Sequence, residues 1–449
     1  MTLMDLSARE IAARVRAGLS PLEVAEAALA RVAERNPALN ALCHVDPEAV
    51  RAEAAAVAAR LPQEDLPLAG VPVVIKDNIW VGGMPITQGS RAYAGFVAPE
   101  DARAVALLRR AGAVVLGIGT CSELACRGVT TTELHGATRH PADPRLTPGG
   151  SSGGPTVAVA AGMAPIALGT DAGGSSRRPP AHVGVVGFKP SQDAIPYGPT
   201  FTEPFWGVSV LAPIARDVAD ARLMFSVLAG AEEAPEAPLR IAFAPTMGLA
   251  QPMDGAVAAA VSAAVAALRA AGLEVADEAP LWPEGATQMG VMPIQTAGLA
   301  MIHGARWRAD PGLYSRDLAG TLEAGLALSG VVVAHALENS HQMKETLCGF
   351  LARHDLLISA TSSALAWPHD RLGPETIGGH PAQPRDHAAF TPQYNHAGAP
   401  AISIPCGRAP CGLPVGLQIG AAPGRDAMLL RAAALFETIL ADAGLWPAT

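Results

Sequence analysis

The chain has 449 residues, 50% hydrophobic and 16% charged, which is ample for a large buried core. A formal net charge of −9 and an isoelectric point near 5.7 exclude a broad basic surface of the kind that grips nucleic acid. No stretch reaches the roughly 20 apolar residues that a membrane-spanning helix needs, so no membrane partner is expected.

The first residues lack a basic segment followed by an apolar one, so no secretory signal is expected. Cys43, Cys121, Cys126, Cys348, Cys406 and Cys411 are few and scattered, a usage that suits reduced thiols in a cytoplasm. No histidine or carboxylate pattern around Cys121 and Cys126 completes a tetrahedral ligand set, so no metal is expected.

Three helices are expected at the start. Ser7 with Glu10 forms a capping box, and Gly18 ends the first helix. Ser20-Pro21 opens the second, Leu22, Ala25, Leu29 and Val32 give it an apolar stripe, and Asn36-Pro37 stops it. An alanine-rich third helix follows Asp46-Pro47. These helices are expected to pack outside a sheet or against a partner subunit. From residue 71 onward, strands and helices alternate. Strands are expected at 71–75, 114–117, 165–168, 183–188, 239–243, 356–359, 401–405 and 415–420. Helices are expected at 101–111, 155–161, 218–228, 256–271, 331–351 and 427–441. Such alternation implies an α/β fold with a largely parallel sheet. The stretches 231–238 and 368–385, rich in Pro, Gly or charge, read as surface connections or a lid.

Two glycine-serine loops stand out. The first is Gly149-Gly150-Ser151-Ser152-Gly153-Gly154, and the second is Gly169-Thr170-Asp171-Ala172-Gly173-Gly174-Ser175-Ser176-Arg177. Glycines there let the backbone N–H groups approach a ligand closely. Upstream, Val73-Val74-Ile75-Lys76-Asp77-Asn78 is an apolar strand ending in a lysine. Burial makes a charged amine costly, so such a lysine tends toward the neutral form and can act as a base. No Gly-x-Ser-x-Gly surrounds Ser151 or Ser175, no phosphate-binding Gly-Lys-Ser/Thr loop is present, and no His-Glu-x-x-His occurs.

Together, Lys76-Asp77-Asn78, the two serine loops 24 residues apart, and Gly187-Phe188-Lys189-Pro190 resemble the amidase signature family. The likeness is strong over about 71–218 and weaker beyond. It implies a single α/β/α sandwich with a mixed, largely parallel central sheet. The whole of 1–449 is then one amidase domain. Within it, 1–65 form an N-terminal helical segment, 66–220 a signature core, and 221–449 a variable substrate-side segment with C-terminal strands and helix.

The resemblance also implies roles. Ser175 is the nucleophile, Ser151 a relay whose family counterpart carries a cis peptide, and Lys76 the base that later serves as acid. The backbones of Ala172, Gly173 and Gly174, with that of Ser175 itself, form an oxyanion hole. Ser152, Asp171 and Arg177 support the loops, with Asp171 and Arg177 expected as an ion pair. Asp77 and Asn78 shape their loop. Here the sequence departs from the family: Ser176 stands at a usually apolar position, Pro180 at a usual alanine, and His182 where an aromatic is common.

Substrate contacts are expected from Cys126, Gly128, Val129 and Thr130, and from the aromatic segment holding Phe201, Phe205 and Trp206. That segment, which also includes Tyr197, reads equally as an acyl pocket or a local core cluster. Arg127 or Arg139 would instead recognise a carboxylate on a small acidic amide. The reading that follows is a cofactor-free hydrolase of small carboxamides, working through an acyl-enzyme. Its partners are a small amide and either a second copy or a small partner subunit. Two alternatives stand beside it. One is the amidase subunit of an amidotransferase or urea-derivative hydrolase assembly. The other is a non-catalytic module that holds an anion in the two glycine-rich loops.

Overall fold

The computed structural model describes residues 2–230 and 238–446. The expected connection at 231–238 lies outside the described residues except for its last position.

The N-terminal helices are α1 (Ala8–Arg16), α2 (Pro21–Leu39) and α3 (Pro47–Arg60). The Ser7–Glu10 capping box forms as expected, with the Ser7 N–H donating to Glu10 Oε2 at 2.8 Å. α2 runs past Pro37 and stops at Asn40, which is left-handed at φ 50°. Asn36 explains the overrun: its side-chain oxygen accepts from the Ala41 and Leu42 N–H groups at 2.8 and 2.9 Å, a second end-cap one turn later. α1 is fixed to the body because Asp220 accepts the N–H groups of Ala8 and Arg9. Its buried face, with Ile11 and Val15, joins the main core.

An eleven-stranded sheet forms the centre. Its strands are β1 (Leu42–His44), β2 (Pro72–Lys76), β3 (Val114–Gly119), β4 (Ile166–Asp171), β5 (Val186–Lys189) and β6 (Val210–Ala215). The rest are β7 (Ile241–Phe243), β8 (Val275–Ala276), β9 (Leu356–Ala360), β10 (Ala401–Arg408) and β11 (Pro414–Gly420). The spatial order is β1-β3-β2-β4-β6-β5-β10-β11-β9-β7-β8. The sheet is mixed. Parallel pairing occupies the two blocks β3-β2-β4 and β9-β7-β8, where helical crossovers return the chain in the same direction. Antiparallel strands fill the middle, β6-β5-β10-β11, and join those blocks. Strands β2, β3, β4, β6, β9 and β11 are buried along their whole length, which is why they read as continuous apolar runs.

The remaining helices are α4 (Arg103–Arg110), α5 (Gly153–Ala160), α6 (Arg178–Val183), α7 (Val218–Ala229), α8 (Gly255–Ala270), α9 (Gln288–Ala309), α10 (Arg316–Ala327), α11 (Gly330–Leu351), α12 (Pro392–His396) and α13 (Asp426–Asp442). The strand expected at 183–188 begins only at Val186. α6 occupies the preceding residues and ends at Gly184, left-handed at φ 83°. α9 and α10 have no counterpart among the expected elements, and two small clusters around Leu299 and Ile294 pack them outside the main core. The 368–385 stretch contains a short hairpin, Thr376–Ile377 against His380–Pro381. Among the described residues no single helix is long and apolar enough to cross a membrane.

Candidate active site

Lys76 is the last residue of β2, and β4 runs parallel beside it. The lysine therefore ends next to Thr170 and Asp171, at the end of β4. Its ammonium nitrogen lies 2.7 Å from Ser151 Oγ and 2.8 Å from Thr170 Oγ1, and the side chain is fully buried. Burial pulls its pKa from 10.5 to about 8, with Asp171 and Asp77 only partly opposing. A neutral amine held at that distance can accept the Ser151 proton. The Gly150–Ser151 peptide is cis.

Ser175 follows β4 by four residues. It is half-buried and shares one cavity with Ser151, Thr170 and Ala172. Ser152 plays no part in the lysine contact. Its Oγ is 3.2 Å from the Thr170 carbonyl and 3.0 Å from Ser176 Oγ. The unusual Ser176 is thus fully satisfied: it bonds Ser152 and also donates to the Thr170 carbonyl at 3.0 Å. Ser176 thus ties the two serine loops together.

The Asp171–Arg177 pair is present and buried. Arg177 Nε and Nη2 each reach an Asp171 oxygen at 3.0 Å, a bidentate fork. Burial by itself would raise the Asp171 carboxyl; the Arg177 guanidinium overrides it and holds the group well below the usual carboxylate range. Asn395 donates to Asp171, and Arg177 also donates to Gln418 at 2.8 Å and to the Thr391 carbonyl at 3.0 Å. The C-terminal third therefore braces the loop that carries Ser175.

One expected oxyanion donor is corrected. The Gly174 N–H donates to Asp171 Oδ1 at 2.7 Å and is committed there. The donors left in the loop are Ala172, Gly173 and Ser175. Gly174 is glycine for other reasons: its φ is +108°, and a Cβ there would collide with Thr391 Oγ1.

The substrate contacts divide. Phe201 and Phe205 line the cavity beside Ser175, together with Tyr197 and Glu203. Phe201 also packs on Tyr93 and Phe96, with ring centroids 4.8 and 4.9 Å away, so it belongs to an aromatic cluster as well. Trp206 turns outward, 47% exposed. Cys126, Gly128, Val129 and Thr130 do not line this cavity. Leu124 and Ala125 take their place, both left-handed at φ 50° and 54°. That turn swings the following residues behind the wall. Thr130 instead braces the first serine loop, donating to the Gly149 carbonyl at 2.9 Å. Arg127 is tied to Asp317, and Arg139 bonds Pro144 on a distant loop, so neither is offered to a substrate at Ser175.

Asp77 shapes its loop as expected, accepting from the Thr87 N–H at 2.6 Å and the Gly89 N–H at 2.9 Å. Cys43, Asp77 and His135 bring potential metal-ligand atoms within 4.8 Å of one another. Thr87 already links the carboxylate to the imidazole, an arrangement that holds together without an ion. Thr170 and Asn78 carry more than the sequence suggested. Asn78 Nδ2 donates to Thr170 Oγ1 at 3.1 Å, which extends the lysine network. Thr170 lies inside the second glycine loop, and its position two residues before Ala172 was the signal available. Thr391 and Asn395 had no comparable signal, since Thr391-Pro392 reads only as a helix start.

The fold and this arrangement of lysine and serines define a class of hydrolytic α/β proteins, and comparison with known proteins agrees. The family model described as Amidase matches residues 23–430. An acylamidase of Rhodococcus erythropolis is 35% identical, over 97% of this chain and 95% of its own. A glutamyl-tRNA(Gln) amidotransferase subunit from Thermus thermophilus is 36% identical, over 98% of each chain. Among solved structures, 6-aminohexanoate cyclic dimer hydrolase with bound substrate superposes with a TM-score of 0.85, at 29% identity over 98% of each chain. The chain belongs to the amidase signature family. It is an amide-hydrolysing enzyme, which overturns the alternative of a non-catalytic anion-binding module.

Proposed function

We propose that the protein hydrolyses a small carboxamide to an acid and ammonia or an amine, through an acyl-enzyme on Ser175. The observation that carries this reading is the buried Lys76, 2.7 Å from Ser151, which lines one cavity with Ser175. Neutral Lys76 takes the Ser151 proton while Ser151 takes that of Ser175, and the alkoxide adds to the amide carbon. The loop N–H groups of Ala172, Gly173 and Ser175 receive the oxyanion. The proton held on Lys76 then returns by way of Ser151 to the leaving nitrogen as the C–N bond breaks. Water deacylates the ester by the same path in reverse. No cofactor enters. One eleven-stranded sheet draws strands from residues 42–420, which supports treating 1–449 as one unit.

The cavity at Ser175 is narrow, with a volume of about 30 Å³. Residues of the 197–209 segment form one wall of this cavity. Likeness to the Thermus protein favours a second reading, the amidase subunit of an assembly in a cytoplasm. The two differ in whether the isolated chain turns over amides.

Treatment with a fluorophosphonate, followed by peptide mapping, tests the nucleophile. A single adduct on Ser175, with amide turnover abolished in Ser175→Ala, is expected. Turnover that survives Ser175→Ala refutes the reading.

A further inference from the structure

The cavity that Ser151 and Ser175 share is lined by one charged side chain, Glu203, and by no basic one. Glu203 is half-buried on the 197–209 wall. One carboxylate oxygen accepts from the Phe205 N–H at 3.0 Å and the Ser209 hydroxyl at 2.7 Å. The other accepts from the Gly207 N–H at 2.9 Å. All three donors are neutral, and among the described residues no lysine, arginine or histidine pairs with the carboxylate. Burial pushes this carboxyl above its ordinary value, and the influences that oppose burial are the hydrogen bonds from Gly207, Ser209 and Phe205.

An uncharged acceptor would serve a turn, whereas a buried carboxylate without a counter-ion is costly. Two carboxylate oxygens offer about four acceptor positions, so the three bonds leave room on the second oxygen. The remaining lining suits a cation. Phe201, Phe205 and Tyr197 belong to the same cavity, and aromatic faces attract an ammonium through their quadrupole. Gln88 lines it too, 9% exposed and left-handed at φ 52°. Its N–H donates to the Asp77 carbonyl at 2.8 Å, and its carbonyl accepts from the Leu124 N–H at 2.8 Å, so its backbone is pinned on both sides. Non-glycine residues held in that region cluster at ligand sites. The Gln88 side-chain amide bonds none of the described residues, and its oxygen is a ready acceptor.

We propose that Glu203 is the counter-ion for an ammonium group of the substrate, with the Gln88 oxygen and the aromatic rings completing its surroundings. The substrate class is then a short amide bearing a terminal ammonium, and Glu203 is its specificity-determining residue. This rests on Ser175 being the nucleophile. Because Ser175 and Glu203 line one narrow cavity, the ammonium lies a few bonds from the scissile carbonyl.

Paired substrates test this at neutral pH, where an alkylammonium is charged. 3-Aminopropanamide, 4-aminobutanamide and 5-aminopentanamide differ from butanamide, pentanamide and hexanamide only in ammonium for methyl. In the parent the best of the three should exceed its neutral partner at least about tenfold in kcat/KM, and succinamate should fall below butanamide. Glu203→Gln should bring that ratio to about one, and Glu203→Asp, which keeps the charge, should retain a preference. A role in the turn alone would lower both members of a pair alike and leave the ratio unmoved, which overturns the proposal. Should Glu203→Gln fail to fold, Thr202→Lys decides. Thr202 is exposed and lines the same cavity, so a cation there should also erase the preference, and an unchanged ratio overturns the proposal. Independently of turnover, butylammonium should slow fluorophosphonate labelling of Ser175, and butanol at the same concentration should not. No preference in any pair, a preference for succinamate, or equal protection by butanol overturns the proposal. Labelling of the parent separates the two readings. With Ser175 labelled and no preference for the ammonium, the subsite fails alone; with no label on the folded parent, the nucleophile reading fails.

Discussion

Raising the pH from 7 to 9 should increase kcat/KM on a neutral amide about tenfold. Lys76 sets this expectation, because it is buried completely and its pKa is lowered from 10.5 to about 8. Only the neutral amine can accept the Ser151 proton, so activity follows the deprotonated fraction. That fraction is about 9% at pH 7 and about 90% at pH 9 for a pKa near 8. At the ordinary value of 10.5 it would be about 0.03% at pH 7, so desolvation raises the reactive population roughly 300-fold. A depressed lysine pKa thus moves the rising limb of activity to lower pH. The assay is initial-rate kinetics at low substrate, with buffers overlapped between pH 6 and 10 and folding checked at each pH. One ionisation with its midpoint near 8 is expected. A flat profile, or a limb centred above pH 10, would refute the neutral-lysine argument.

Other perturbations probe the same site. Lys76→Ala should cut amide turnover by more than activated-ester turnover, because an amine leaving group needs a returned proton and a phenolate does not; equal losses in both assays would deny Lys76 its role as acid. Asp171→Asn should leave the Arg177 guanidinium buried without its counter-ion and cost about 3–5 kcal/mol in denaturant titration. A loss under about 1 kcal/mol would mean that Gln418, Asn395 and the Thr391 carbonyl alone can hold Arg177. Gly174→Ala should lower both melting temperature and activity, since its φ of +108° and the adjacent Thr391 side chain leave no room for a methyl group. Wild-type kinetics and stability in that variant would show that the loop is softer than this geometry allows.

The parts of the molecule legible from sequence were those coded by neighbours along the chain. The Ser7–Glu10 cap, the apolar run ending at Lys76, and the two glycine-serine loops each carry their signal within a few residues. Burial of β2 alone implied a lysine inclined to the neutral form, and the resemblance to the amidase signature family selected Ser151 over Ser152 for the contact with Lys76. The central antiparallel strands were less legible, because continuous apolar runs do not state the direction of their partner. β6 has no counterpart among the expected strands.

Sequence by itself placed Lys76 at the end of a buried strand and Ser151 and Ser175 in glycine loops, since strand, glycine turn and cap are local choices of φ and ψ. Only the tertiary structure decided how those residues are held and what surrounds them. Thr391, Asn395 and Gln418 reach Arg177 from more than 200 residues away, and left-handed Leu124 and Ala125 displace the expected 126–130 wall from the cavity. Gly174 loses its free N–H to Asp171, and buried Arg178 rests its Nη1 on Thr391 Oγ1. Each of these outcomes depends on burial and on partners brought together by packing, and neither is encoded by spacing along the chain.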